Sequence, residues 1–253
     1  MAFTITDAAA WVTAKGIAQA TVTSAAWNAA SGDLILVVAM GDDEASQPGN
    51  PFLDTLTDSG SPDQTWTVIT SSGADASCYM KAWWAIANGT LTGLTVTATR
   101  TGASWGANGQ MAIKVYTVTG HDATTPIGNV WNTSNTSTTN NWSPNTYTSS
   151  VNNSRGFALA GDWNALGSPT STDTESSGHD ALSMSWTSMY KAADTATSGT
   201  AVAFNFDAGG TGAAAWLAIA WEIRPTAGAG RTALNTRSNP LGVNVGMGWR
   251  MPY

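Results

Sequence analysis

The residues able to carry chemistry are few. Two histidines, His121 and His179, stand 58 positions apart, and each precedes an aspartate, Asp122 and Asp180. A His-Asp dipeptide can orient an imidazole or contribute to a metal site. No nucleophile elbow, no HExxH pattern and no histidine cluster accompanies either one. Two loop dipeptides of this kind are far more often solvated turns, and no catalytic residue is expected. The acids Asp42, Asp43 and Glu44 end an apolar run, and Asp173 and Glu175 stand in the corresponding part of the second half. Calcium takes several oxygen ligands from loops of this kind. The spacing is not that of an EF-hand, however, and acids at strand ends also serve solubility. A carboxylate pair for glycoside hydrolysis needs a set separation across a cleft, which spacing along the chain does not define. No metal and no cofactor is expected.

The 13 tryptophans are the other chemical feature. Exposed indoles on a β-sandwich can stack on sugar rings, and Trp83, Trp84, Trp105, Trp131 and Trp142 are the candidates. Trp105, Trp131 and Trp142 read as lying in polar loops, which makes them the possible glycan contacts. The competing reading is that tryptophan fills a wide sandwich core or anchors a subunit interface; Trp84, Trp216 and Trp221 read as core.

The elements that must position these residues follow from composition. Only 11% of residues are charged, 42% are hydrophobic, and Gly, Ala, Ser, Thr and Asn fill the polar positions. That excludes a charge-driven disordered chain and favours strands joined by turns. At 253 residues a single large all-β domain is reasonable. The ten basic and 17 acidic residues divide unevenly: four arginines and no acid follow Glu222, so the part before carries −11 and the tail +4. An acidic body disfavours nucleic acid over the main surface. The basic tail suits an acidic neighbour, such as another copy, or remains a solvated tail. Cys78 is the sole cysteine, so no intrachain disulfide forms. The N-terminus has neither the basic region nor the apolar core of a secretory signal, and no run is long enough to span a bilayer. A soluble protein made in the cytoplasm of its producing cell is expected, with no membrane partner.

Along the chain, residues 3–28 alternate loosely. Residues 34–40 are an unbroken apolar run between two Gly-Asp pairs, the clearest buried strand. A Pro/Gly/Asn-rich loop follows, then TDSGSPDQTWTVI (residues 57–69), a turn feeding a strand. Residues 78–86 and 91–99 read as a hairpin turning at Asn88-Gly89, and residues 111–118 as a further strand. The polar stretch 120–150 reads as a crossover. The second half then repeats the order. Residues 156–163 match the Gly32 strand, TSTDTESSGHD (residues 170–180, starting with Thr170) stands as a loop where TDSGSPDQ stood, and strands follow over 182–191, 200–206 and 213–223. The last segment, AAAWLAIAWEI, is also rich in helix formers; its alternation and the repeat favour a strand.

The repeat has a constant offset of 106 residues, which sets Trp84 on Tyr190, Gly93 on Gly199, Val96 on Val202 and Ile113 on Ile219. About four strands per half with a long crossover predict an all-β, Greek-key or jelly-roll-like β-sandwich over 1–224, with pseudo-repeats at about 30–118 and 155–224. Residues 225–253 read as an extended basic C-terminal arm. There Leu241, Val243, Val245, Met247, Trp249 and Met251 alternate with Gly242, Asn244, Gly246, Gly248 and Arg250. An extended strand of this kind has one apolar edge, fitted to β-augmentation of a partner or to packing on its own body. Arg231, Arg237, Leu241, Val243, Val245, Met247, Trp249, Arg250 and Tyr253 are the expected partner contacts.

Four segments, GDLILVVAMGDD, TDSGSPDQTWTVI, KAWWAIANG and AIAWEIRP, together resemble the β-sandwich structural proteins of tailed bacteriophages, especially those of actinobacteria: minor tail or capsid accessory proteins. The family pattern is a GDLLVV-type strand, a TDSxGNxWT-type turn and a strand containing W-A. The resemblance covers roughly residues 30–118 and recurs weakly over 155–225. Here Pro62 and Asp63 are inserted in the turn. It implies a non-enzymatic virion protein that decorates or extends capsid or tail, with other virion proteins and further copies of itself as partners, and no catalytic residues to carry over. The alternative is a carbohydrate-binding or host-receptor adhesin module that uses Trp105, Trp131 and Trp142 on a cell-surface glycan.

Overall fold

The computed structural model describes residues 3–16, 20–42, 55–74, 78–100, 109–133, 140–212 and 216–226. The first half holds β1 (Thr4–Lys15), β2 (Thr21–Thr23), β3 (Trp27–Ala29), β4 (Leu34–Asp42), β5 (Thr55–Asp58), β6 (Thr67–Ala74), β7 (Cys78–Ile86), β8 (Leu91–Leu94), β9 (Val96–Thr99) and β10 (Gln110–Thr119). The second holds β11 (Ile127–Thr133), β12 (Asn141–Trp142), β13 (Asn145–Thr148), β14 (Arg155–Asp162), β15 (Thr174–His179), β16 (Ser185–Tyr190), β17 (Ala201–Ala203), β18 (Phe206–Asp207) and β19 (Trp216–Ile223). The fold is all-β, and the expected sandwich is present.

Two five-stranded antiparallel sheets, β1-β10-β4-β7-β6 and β11-β19-β14-β16-β15, share one order of corresponding strands. They face each other across a central core. On its far side each large sheet is covered by short ladders: β2-β9-β5 and β3-β8 in the first half, β13-β17 and β12-β18 in the second. Side-chain alternation explains the sequence pattern. On β4, Leu34, Leu36, Val38 and Met40 enter the central core, while Ile35, Val37 and Ala39 enter the first outer core. On β19, Leu217, Ile219, Trp221 and Ile223 face the centre, while Trp216, Ala218 and Ala220 face the second outer core. A strand covered on both faces has no polar face, so its apolar run is unbroken. The same burial makes residues 216–223 a strand despite their helix-forming composition.

Pairing registers correct the constant offset. Leu36 lies between Trp84 and Tyr116, and Phe157 lies between Tyr190 and Trp221. All six residues belong to the central core or pack on it. The offset is therefore 106 between β7 and β16, as the sequence suggests for Trp84 and Tyr190, but 105 between β10 and β19. Ile113 faces an outer core and Ile219 the central one, so they are not equivalent. In the outer layers, the buried Ser24 binds Val96 through amide and hydroxyl, and the buried Ser149 binds Thr200 in the same way. That match sets Ala98, not Val96, on Val202; the two-residue slip keeps the face.

Contacts between the sheets follow a pseudo-twofold. Trp11 Nε1 on β1 donates to the Ser176 carbonyl on β15 at 3.0 Å. At the opposite edge Asn132 Nδ2 on β11 donates to Thr70 Oγ1 on β6 at 3.2 Å, and the Ser72 hydroxyl donates to the Thr133 carbonyl. The aromatic rows meet between them: Phe157 lies 4.9 Å from Tyr116, 4.8 Å from Trp221 and 5.9 Å from Tyr190, centroid to centroid.

Three local expectations are overturned. The chain turns at Asn88-Gly89, but β8 pairs with β3 in the outer layer rather than with β7. Asn88 and Gln64 exchange hydrogen bonds of 2.7 and 3.1 Å, which tie this turn to the Asp58 turn while the chain changes layer. Residues 120–150 are no crossover, since β11, β12 and β13 lie there. The polar loop expected around 171–180 is largely β15, whose six residues pair in unbroken register with β16; β16 would otherwise show its backbone to solvent. The second half thus begins near β11, ahead of the expected 155. Among the described residues, no helix is long and apolar enough to cross a membrane.

Candidate functional site

The two histidines are held at opposite ends of the second large sheet. His179 ends β15 opposite Ser185, which itself pairs with Asp162, whereas His121 forms a bridge with Pro225 beyond the Ile223 end of β19. His179 Nδ1 is 2.8 Å from Ser185 Oγ, an arrangement that superficially suggests a nucleophile and its base. The direction is wrong for that chemistry. Ser185 Oγ donates its one proton to the Gly167 carbonyl at 2.7 Å, so the imidazole donates to the serine. Ser185 is also fully buried, out of reach of a substrate. Asp122 does not orient His121. Its Oδ1 accepts from the Thr124 amide, the Thr124 hydroxyl and the Thr125 amide at 2.8–2.9 Å, and these hydrogen bonds hold its carboxyl below the usual range.

The other acids are likewise engaged. Asp58 is the hub of the TDSGSPDQTW turn: Oδ1 accepts the Gly60 amide at 2.9 Å, while Oδ2 accepts the Gln64 amide at 3.0 Å and Trp66 Nε1 at 2.8 Å. This ties the acid and the tryptophan of the motif into one local structure. Asp162 Oδ1 and Oδ2 cap the amides of Asn164 and Leu166. Asp173 holds Lys191 at 2.8 Å, and Asp180 holds Lys15 at 2.9 Å. Asp42 is buried in the ladder between Cys78 and Gln110, while Glu175 is exposed on β15. Asp43 and Glu44 lie outside the described residues. Among the described residues no three His, Cys, Asp or Glu side chains are grouped so as to hold a metal ion. Cys78 is buried, and burial first, then the charges of Asp42 and Asp162, push its thiol well up in pKa, away from the reactive thiolate.

The tryptophan candidates separate. Trp131 and Trp142 lie on strands rather than in polar loops, with centroids 5.9 Å apart, and Trp142 continues onto Phe206 at 5.4 Å and then Trp216 at 5.9 Å. Both pack half-buried on the second outer core. Alternation on β12 sends Asn141 outward and Trp142 inward, so the surface beside Trp142 is amide-rich: Asn205 Nδ2 donates to Asn141 Oδ1 and to Ser143 Oγ, each at 2.8 Å. Trp83 is buried in the first outer core, Trp84 packs on the central core, and Trp216 and Trp221 are fully buried. Trp105 lies outside the described residues. So do Arg231, Arg237, Leu241, Val243, Val245, Met247, Trp249, Arg250 and Tyr253, the expected contacts of the arm.

A cleft of about 350 Å³ runs between the Asp58 turn and the Gly93 turn. Its walls are Ser59, Ser61, Thr90 and Thr92 over Leu91 and Leu94, without a titratable side chain. The cleft is not legible in the sequence, because its Thr90–Leu94 wall forms only when β8 pairs with β3 in the outer layer. In comparisons with known proteins, no family model matches the chain, and no curated protein matches its sequence.

Proposed function

We propose that this chain is a non-enzymatic structural protein of a tailed-phage virion, which decorates or extends the capsid or tail. In this reading residues 1–224 are the body, and residues 225–253 contact neighbouring subunits, either further copies or other virion proteins. The observation that supports this reading best is how the body uses its polar groups. Asp58, Asp122, Asp162 and Glu222 each bind backbone donors that lock a turn or a layer. The family-like segments become the fully buried strands β4 and β19, the strand β7 beside β4, and the Asp58–Trp66 turn, which is largely exposed and held by the Asp58 hydrogen bonds. A low-charge, layered body with a basic tail suits repeated side-by-side packing. The glycan reading rests on Trp105, outside the described residues, and on Trp131 and Trp142, which pack half-buried on the second outer core.

The test compares the full chain with one ending at Thr226, which keeps the contacts of Pro225 and Thr226, by light scattering and by co-sedimentation with purified particles. The full chain is expected to form a defined oligomer or to join particles, and the shorter chain to do neither while remaining folded. Two monomers that both ignore particles would remove the assembly reading.

A further inference from the structure

The root of the C-terminal segment is stitched to one buried imidazole. His121 is 7% exposed. Its backbone bridges Pro225, and its carbonyl accepts the Thr226 hydroxyl at 3.0 Å. Beside it, the Thr226 amide donates to the Gly120 carbonyl, the Asp122 amide to the Arg224 carbonyl and the Arg224 amide to the Pro126 carbonyl, each at 2.8 Å. His121 Nδ1 is 3.0 Å from the Val118 carbonyl. A carbonyl only accepts, so Nδ1 carries the proton and Nε2 of the neutral ring is a bare acceptor. That Nε2 is buried and has no partner among the described residues.

We propose that His121 is a proton-sensitive latch: the neutral ring keeps residues 224–226 sewn to the 120–126 turn, and a second proton on Nε2 opens that seam. The physical reason is the place the proton must go. A new N–H carrying positive charge would sit buried with no acceptor, a desolvation cost relieved by moving the turn to let water in. The charged groups around the ring are Asp33, from the turn before β4, and Asp122 on its own turn, which both favour the charged ring, and Arg224, which lies against Asp122. Burial outweighs the acids and the Val118 hydrogen bond, so the folded protein holds the ring neutral below the usual imidazole range. The sign follows. A depressed histidine pKa leaves the seam intact above the unfolded value of about 6.5 and weakens it progressively as pH falls below that value toward the folded pKa. The inference does not depend on what the C-terminal segment binds.

The chain has only two histidines, which makes the test clean. Full-length labelled protein is titrated by NMR from pH 7.5 to 5, following both imidazoles and the exchange of the Asp122, Arg224 and Thr226 amides corrected for intrinsic pH dependence. Those three amides are expected to exchange several-fold faster at pH 5, with a midpoint matching the His121 ring, while the amide of Leu36 is unchanged. His179→Asn should keep the response, and His121→Asn should abolish it. Protection independent of pH, persistence of the response in His121→Asn, or a midpoint that differs from the His121 titration would each overturn the latch. The midpoint comparison needs only the wild-type chain, so it stands even if His121→Asn fails to fold.

Discussion

Glu222 on β19 accepts the Ser150 amide on one carboxylate oxygen at 2.8 Å and the Ser150 hydroxyl on the other at 2.5 Å. The second oxygen also takes the Asn129 amide at 3.1 Å. One fully buried acid thereby joins the last strand to the β11 bulge and to the turn after β13. Gly128 leaves room for it, since a Cβ there would stand 2.1 Å from Glu222 Oε2. Burial pushes this carboxyl up, and the hydrogen bonds from Ser150 and Asn129 outweigh it, so the net displacement is downward. Such a group stabilises the fold above the unfolded carboxyl value of about 4.5, and that contribution fades as pH falls below it. Glu222→Gln should cost about 1.5–3 kcal/mol at pH 7, with the gap from wild type narrowing at pH 3.5. Urea unfolding at the two pH values measures it; a constant gap would contradict the charged role.

Asp58 organises its turn with three donors, including the Trp66 indole. Removing the acceptor strands all three, at about 2–3 kcal/mol for Asp58→Ala. The same variant should shift Trp66 Nε1–H in NMR spectra and widen the adjoining cleft, while β4 amides keep their exchange protection. Loss of protection throughout the first half would mean the turn is part of the global fold rather than a local lock.

Met40 on β4 fills the space that Gly161 on β14 leaves open. A Cβ at Gly161 would meet Met40 Cε at 2.0 Å and Sδ at 2.2 Å. Gly161→Ala should cost about 1–3 kcal/mol by overpacking, and Met40→Ala about 2–5 kcal/mol by leaving a cavity. In the double variant the new methyl partly fills that cavity, so the combined loss should be smaller than the sum. Additive losses in a denaturation series would deny the contact.

Lys114 is 1% exposed, with Nζ 2.6 Å from Asp7 and 2.9 Å from Ser176 Oγ. Its ammonium also lies 5.1 Å from the Tyr116 ring. Removing the acid leaves a buried cation, whereas removing the cation leaves an aspartate that is 54% exposed and can hydrate. Asp7→Ala should therefore cost more, about 1–3 kcal/mol, than Lys114→Met, within about 1 kcal/mol of wild type. Thermal unfolding of both variants at low salt decides; the reverse order would show that the pair is governed by the Lys114 stem packing.

Much of the candidate site was legible only as residue types. The acid and the tryptophan of TDSGSPDQTW are plain in the sequence, but their hydrogen bond depends on the turn closing around Asp58. Trp131 and Trp142 read as loop residues because polar Asn, Ser and Thr surround them. Polar neighbours also mark the outward face of a short outer strand, and neighbours alone do not separate the two. His179 beside Ser185 reads as an acid–base pair until the proton of Ser185 is traced to Gly167.

The sequence by itself determined the all-β class, the two buried runs that become β4 and β19, and the doubling of the chain. The unbroken apolar run 34–40 between two Gly-Asp pairs leaves few other outcomes, and for residues 216–223 the alternation and the repeat weigh against the helix-forming composition. Only the tertiary structure decided that short outer ladders cover the far side of each large sheet, that the chain changes layer at Asn88-Gly89, and that the polar 174–179 segment pairs as an edge strand. It also decided the register between the halves. β4 and β19 are apolar on both faces, so a one-residue slip leaves the hydrophobic pattern almost unchanged; what distinguishes the faces is which sheet lies opposite, and that relation exists only after the layers have packed.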